Sequence, residues 1–313
     1  MSQMKKKMKP SLILKGMAMG AANVIPGVSG GTIALITGIY EELINSIKSF
    51  DLHALKLLLH FKWKEFAEYT NLYFLLQVFL GLVLAIFSLA KLFKYLFEHY
   101  PVYIWAFFFG LVLASVYYVG KTVTKWNFST ILSFLIGVVI ALSVTILHPA
   151  GENDHPLYLF MNGVIAIISM ILPGLSGSFV LILLGNYQLV AIDAINHLDL
   201  KILLPFLAGA IIGLVAFSYV LSWLFKRYKN QTIALMTGFI LGSLSILWPW
   251  KKAVYLTKDG EYITKHGRKV IAYYEQVWPS SYDTEFWIAV FFIILGIWSI
   301  YILEKKSAVK EKN

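Results

Sequence analysis

Residues 16–40, 72–90, 100–120, 126–147, 156–192, 202–225, 230–250 and 286–303 contain no Asp, Glu, Lys or Arg. A helix needs about 20 apolar residues to cross a bilayer, and these runs are near or above that length. Surface helices of a soluble protein would show a polar face at helical period, and these runs do not. The chain therefore reads as an all-α polytopic membrane protein. Composition agrees: 14% of the residues are charged, against about 25% in soluble domains.

Two of the runs are interrupted at matching places. Residues 26–40 read PGVSGGTIALITGIY and residues 173–187 read PGLSGSFVLILLGNY. An offset of 147 pairs Pro26 with Pro173, Gly27 with Gly174, Ser29 with Ser176, Gly30 with Gly177, Gly38 with Gly185 and Tyr40 with Tyr187. At an offset of 128, Gly81 pairs with Gly209, Tyr100 with Tyr228, Gly110 with Gly238 and Ser115 with Ser243. Gly137 pairs with Gly296 at 159. The steps between offsets leave 19 extra residues after Tyr40 in the first half and 31 near 251–285 in the second. Two repeats follow, 1–147 and 148–313. The first comprises a broken segment at 11–47 and spans near 72–97, 100–121 and 126–147. The second comprises a broken segment at 157–195 and spans near 202–225, 230–250 and 286–303.

The broken segments decide the topology. The half-helices expected at 11–25, 31–47, 157–172 and 178–195 have roughly 15 residues each. At 1.5 Å per residue they reach roughly 23 Å, short of a hydrocarbon core of about 30 Å. If each pair is a re-entrant hairpin, each half has three crossings, and the halves are inverted. Lysines favour this arrangement. With a cytoplasmic N-terminus, the inner segments hold Lys48, Lys56, Lys62, Lys64, Lys121, Lys125, Lys226, Arg227 and Lys229, while outer segments 98–100, 148–157 and 193–201 hold Lys201 alone. The expectation is six full spans, two re-entrant hairpins and both termini in the cytoplasm. The basic loop 251–285 falls outside and is the one discord. Asp259-Gly260 lies there between β-prone runs, a favourable two-residue turn, so a small extracytoplasmic β-hairpin is expected near 254–264.

Several functions lose support. There is no cysteine for disulfides, thiolate metal sites or thiol catalysis. The first apolar run contains Pro and Gly and has no clear cleavage site, so no removable leader is expected. The net charge of +10 gathers in flanks such as Lys5, Lys6, Lys7 and Lys9. It reads as topology-setting and lipid-facing rather than nucleic-acid-binding. The histidines fall in loops or span ends, so neither a metal site nor a catalytic dyad is expected, and no cofactor is implied.

What remains is the chemistry of the doubled loop. Non-helical backbone at membrane depth survives only inside protein or beside water, and duplicated breaks in two apolar halves point to a transporter's binding site. Pro26 and Pro173 end the incoming helices. Gly27, Gly30, Gly31, Gly174 and Gly177 allow reversal and close backbone approach. Ser29 and Ser176 suit the N-cap of the outgoing helices, and Thr32 and Ser178 add hydroxyls. Such tips present N–H groups and the positive end of a helix dipole to a small anion. Asn23 is expected to line the same site. Tyr40, Glu41 and Tyr187, at the far end of each motif, are candidates for gating or proton coupling. For the other repeated glycines, helix packing is the better reading.

The run GMAMGAANVIPGVSGGTIALITGIYEELI (16–44), with its second copy ILPGLSGSFVLILLGNY (171–187), resembles the polyprenyl-phosphate transporter family. The likeness covers nearly the whole chain. It implies a flippase that carries undecaprenyl phosphate across the bacterial cytoplasmic membrane, returning the lipid carrier from the outer to the inner leaflet for envelope synthesis. The partners implied are the lipid and the membrane. Two other readings stand beside it. One is a carrier or channel for small anions. The other is an undecaprenyl-diphosphate phosphatase, whose similar loop would carry an Arg at Gly30. Both copies have glycine there (Gly30, Gly177), which leaves no cation for a phosphoryl transition state.

Overall fold

The computed structural model describes residues 9–24, 29–147, 149–255, 257–258, 261–262, 264–265, 268–269, 271–279 and 281–310. The protein is mostly helical. The first half runs through α1 (Pro10–Val24), α2 (Gly30–Ile36), α3 (Tyr40–Lys48), α4 (Leu52–Leu59), α5 (Trp63–Tyr69), α6 (Leu72–His99), α7 (Pro101–Lys121) and α8 (Phe128–Ile146). The second half begins with α9 (Pro156–Ile171) and α10 (Gly177–Leu183). A π-helical segment π1 (Gln188–Ala194) then runs into α11 (Ile195–His197), α12 (Leu200–Arg227) and α13 (Lys229–Ser243). Strands β1 (Lys251–Tyr255), β2 (Thr257–Lys258), β3 (Glu261–Tyr262), β4 (Thr264–Lys265), β5 (Arg268–Lys269) and β6 (Ile271–Gln276) precede α14 (Thr284–Lys310).

Among the described residues, five helices are long and apolar enough to cross a bilayer: α6, α7, α8, α12 and α14. The chain is a multi-pass membrane protein. The span expected at 230–250 is shorter than the sequence implied. α13 has 15 residues. Beyond Ser243 the backbone tightens to i→i−3 bonds, from Leu244 to Leu241 through Leu247 to Leu244, and Pro249 stops any continuation. The expected outgoing half-helices are also broken. Residues 31–47 split into α2 and α3, and residues 178–195 into α10 and π1–α11, which meet at a bend of 113°. The cause is a glycine in the left-handed region at each break, Gly38 (φ 72°) and Gly185 (φ 77°), a conformation that ends helices.

The β-hairpin is larger than expected. β1 pairs antiparallel with β6, so the ladder reaches to Gln276 rather than closing by 264. The short β2–β3 pair joins Thr257 to Tyr262 and Lys258 to Glu261; the turn residues Asp259 and Gly260 themselves lie outside the described residues.

Four extensive helix pairings build the molecule: α1 with α6, α9 with α12, α7 with α14, and α8 with α13. Lipid gives apolar helices no hydrophobic reason to associate, so close backbone approach through small residues does the work. A methyl group on Gly81 would meet the Ile13 carbonyl closer than 3.0 Å, and one on Gly209 would meet Phe160. Gly110 faces Ile293, Gly238 faces Phe134, Gly137 faces Leu235 and Gly296 faces Phe107 in the same way. These partners are themselves related by the offsets 147, 159 and 128. Tyr100 and Tyr228 each link two helices with the same backbone angles, φ −134° and −135°. The packing reading of these glycines therefore holds. The largest buried cluster joins most of the helices and includes Tyr40, Ile44, Phe108, Met236, Ile240 and Leu247.

Candidate functional site

In each motif two short helices pack together, α1 on α2 and α9 on α10; in the second they are joined by a turn at Pro173 and Gly174. Both serines cap as expected. Ser29 Oγ accepts from the Gly31 N–H (3.1 Å), and Ser176 Oγ accepts from the Phe179 N–H (3.5 Å). Pro26 and Gly27 lie outside the described residues. Pro173 and Gly174 are buried at the second turn.

The two tips touch. Ser29 Oγ is placed to donate to the carbonyl of Met170 (3.2 Å) or Leu172 (3.3 Å). Gly174 N–H donates to Thr32 Oγ1 at 3.1 Å. Tyr40, buried, donates its hydroxyl to the Ile171 carbonyl at 3.0 Å and packs its ring on Phe225 at 5.7 Å. Three side chains of the first motif are thus bonded to the backbone of the second.

The tips differ in what they leave open. In the first, the N–H groups of Gly30 and Gly31 are taken by Asn23 Oδ1 (2.7 Å) and Ser29 Oγ (3.1 Å). Ser29 and Thr32 are buried. Asn23 is exposed, but its side-chain oxygen ties the end of α1 to the start of α2. In the second, Ser176 and Ser178 share a hydroxyl–hydroxyl bond of 2.9 Å at an exposed position, above the buried Gly177. Hydroxyls on a helix N-terminus that faces outward are chemically suited to meet an anion.

The gating candidates fall in three settings. Glu41, on the first turn of α3, forms an ion pair of 2.6 Å with Lys229 at the start of α13. Tyr40 is locked as described. Tyr187 is half-buried against the small cluster of Leu159, Leu181, Val190, Ala194 and Ile202 and does not repeat the Tyr40 bond. Sequence reasoning missed two polar elements. Lys15 of α1 donates to the Thr37 carbonyl at the end of α2, where a cation meets the negative end of a helix. Asn45 and Lys48 of α3 meet Ser222 of α12, at 2.9 and 3.3 Å. The heptad-like placement of Glu41, Asn45 and Lys48 on one face of α3 was the available signal.

Comparison with known proteins adds a family. Residues 19–264 match the VCA0040-like family, described as undecaprenyl phosphate translocase-like. The chain belongs to this family. A polyprenyl-phosphate transporter of Vibrio cholerae is 43% identical over 249 residues, 78% of this chain and 79% of that protein. A polyprenyl-phosphate transporter of Staphylococcus aureus is 34% identical over 254 residues, 76% of this chain and 85% of that one. No solved structure matches the family member described here.

Proposed function

We propose that this protein transports undecaprenyl phosphate across the bacterial cytoplasmic membrane, from the outer to the inner leaflet, and catalyses no covalent reaction. The observation that carries the reading is the bonding of Ser29, Thr32 and Tyr40 of the first motif to the backbone at 170–174 of the second, in a chain 43% identical to a polyprenyl-phosphate transporter. A lipid phosphate can leave its tail in hydrocarbon, but its charged headgroup pays a heavy desolvation cost in crossing. A polar site between two halves lowers that barrier.

In this reading the halves are inverted repeats, 1–147 and 148–313, related by a two-fold axis in the membrane plane. Support comes from the helix pairings, which map onto themselves when the halves are exchanged: α1–α6 onto α9–α12, and α7–α14 onto α13–α8. Lysine placement supports cytoplasmic termini. The phosphate meets the hydroxyls of Ser176 and Ser178 and the N-terminal backbone of α10, while Gly174 and Gly177 let this tip pack against Phe239 and Met170. The first tip, with Asn23, Ser29, Gly30, Gly31 and Thr32, is its counterpart in the opposite state, and its hydrogen bonds to residues 170–174 are those that rocking would exchange. The Glu41–Lys229 pair bridges the halves at one mouth and acts as a latch.

The test is reconstitution into liposomes with labelled undecaprenyl phosphate, following leaflet exchange. Acceleration over protein-free vesicles is expected, with loss in Ser176→Leu. Exchange no faster than in empty vesicles would sink the reading. Phosphate release from undecaprenyl diphosphate would point to the phosphatase instead.

A further inference from the structure

The extra residues after Tyr40 in the first half fold as two short helices, α4 and α5, between α3 and the membrane span α6. In the second half only Leu198 and Asp199 stand between α11 and α12. Asp51 caps α4 through the N–H groups of His53 and Ala54, and its carboxylate accepts from the Tyr69 hydroxyl at the end of α5 at 2.7 Å. The pair is thus tied to itself at its open end.

Its place in the chain fixes its depth. α5 ends at Tyr69, and the span begins at Leu72. At about 3.5 Å per residue, the link through Thr70 and Asn71 keeps the end of α5 close to where α6 enters hydrocarbon. Asn71, in the left-handed region at φ 50°, turns the chain there.

The outer surface of α4 is apolar. Leu52 (77% exposed), Leu55 and Leu59 form one stripe at i, i+3 and i+7, while Ala54 and Leu57 are buried on another face. The turn after α4 extends the apolar surface. Phe61 and Trp63 are both exposed, with their rings edge to face at 6.0 Å. Phe61 also takes left-handed backbone, φ 56°, which a bulky residue adopts only at a cost. In water, such a ring would add exposed apolar area to that strain. In a bilayer interface it is an anchor, as aromatic rings are at span ends. Lys62 and Lys64 flank Trp63, and their stems are long enough to reach headgroups. The apolar surface continues onto α6, where Tyr73, Leu76 and Leu80 are exposed along the span itself.

Charge decides the kind of attraction. Between residues 50 and 71, Lys56, Lys62 and Lys64 are matched by Asp51, Glu65 and Glu68, and Lys62 pairs with Glu65 at 3.2 Å. A balanced segment has little pull toward anionic headgroups. Insertion of apolar and aromatic side chains is what remains.

We propose that α4 and the Phe61–Trp63 turn form an interfacial anchor, inserted at the boundary between headgroups and acyl chains without selection for anionic lipid. α3 ends three residues before α4, so the anchor sets the depth of the helix that carries Tyr40 and Glu41. The anchor does not depend on the transport reading or on which leaflet receives it.

The chain lacks cysteine, so the fluorophore NBD can be attached to Leu52→Cys, Leu59→Cys or Glu68→Cys in the full-length protein in nanodiscs. Emission at positions 52 and 59 should be shifted to the blue of that at 68. It should be quenched more by lipids with a doxyl group near the headgroup than by lipids with one near the chain end. Quenching should be equal in phosphatidylcholine and phosphatidylglycerol nanodiscs. Phe61→Asn keeps a residue that tolerates the left-handed turn and removes the ring, so it should lessen quenching at 59. Water-like emission at all three positions would overturn the anchor. Blue-shifted emission without lipid quenching would also overturn it, because a second copy or another protein would then cover the stripe. Quenching strongest from the chain end would make α4 part of a span, and quenching confined to phosphatidylglycerol would make charge the cause. Either result overturns the proposal.

Discussion

Single residues at matching positions of the two motifs are held in different ways. At the end of α2 the Thr37 carbonyl receives Lys15. The same offset of 147 that pairs the motifs takes Thr37 to Leu184 and Lys15 to Asn162. The Leu184 carbonyl is instead held by the Tyr158 hydroxyl at 2.8 Å. Asn162 is left buried, and among the described residues neither its amide nitrogen nor its oxygen has a partner. A buried polar group without a bond costs about 1–3 kcal/mol, so Asn162→Leu should raise the thermal unfolding temperature of the detergent-solubilised protein. A lower Tm would mean that the amide has a role the fold alone does not reveal.

Lys251, at the edge of β1 and outside the spans, makes a second prediction at this scale. Its ammonium lies 3.4 Å from the centre of the Trp105 ring, and burial lowers its pKa to about 7. Between pH 7 and the ordinary lysine value of 10.5, the unfolded chain binds a proton that the folded chain has lost. Stability contributed by this group therefore rises with pH across that window. Thermal melts from pH 7 to 10 should show this rise, and Lys251→Met should flatten it. An unchanged slope in the variant would remove Lys251 as its source.

At the scale of elements, glycine governs both breaks and contacts. Gly38 and Gly185 stop the outgoing half-helices because their positive φ suits no other residue without strain. Gly209 does a different job: its missing side chain lets α12 lie against the Phe160 carbonyl of α9. Gly209→Val should destabilise by about 1–3 kcal/mol through overpacking, whereas a methyl on Gly151 meets nothing within 4 Å and Gly151→Ala should be silent in the same melts. Equal effects of the two changes would remove the close α9–α12 approach as the source of the loss. The break at each repeated Gly was open to view in the sequence. It is ambiguous there, because an apolar run with one glycine also fits a continuous membrane helix, where glycine is common.

For the whole molecule, orientation is the property on which the transport reading turns. The absence of cysteine makes the native chain its own background for single-cysteine mapping. With inverted halves, Lys64→Cys and Lys125→Cys should react with impermeant thiol reagents only from the cytoplasmic face, and Glu152→Cys and His197→Cys only from the outside. All four positions are exposed. Labelling of Lys64→Cys from outside would favour parallel halves.

Uncharged runs, repeated Pro-Gly-Ser turns and the serine caps were legible by residue type and spacing alone, because a bilayer demands apolar length and a helix end demands a capping group. The large β1–β6 ladder was not, since partners as far apart as Lys251 and Gln276 leave little local signature. Nor was the inequality of the two tips. Near-identical motifs present similar donors in sequence. Asn23 and Ser29 take the first tip's N–H groups, and the backbone at 170–174 takes the Ser29, Thr32 and Tyr40 hydroxyls, while the Ser176–Ser178 pair bonds only within its own tip. The bare stripe of α4 likewise arises only from how that helix packs: Ala54 and Leu57 are buried and Leu52 and Leu59 are not, although all four are apolar and no periodicity tells them apart.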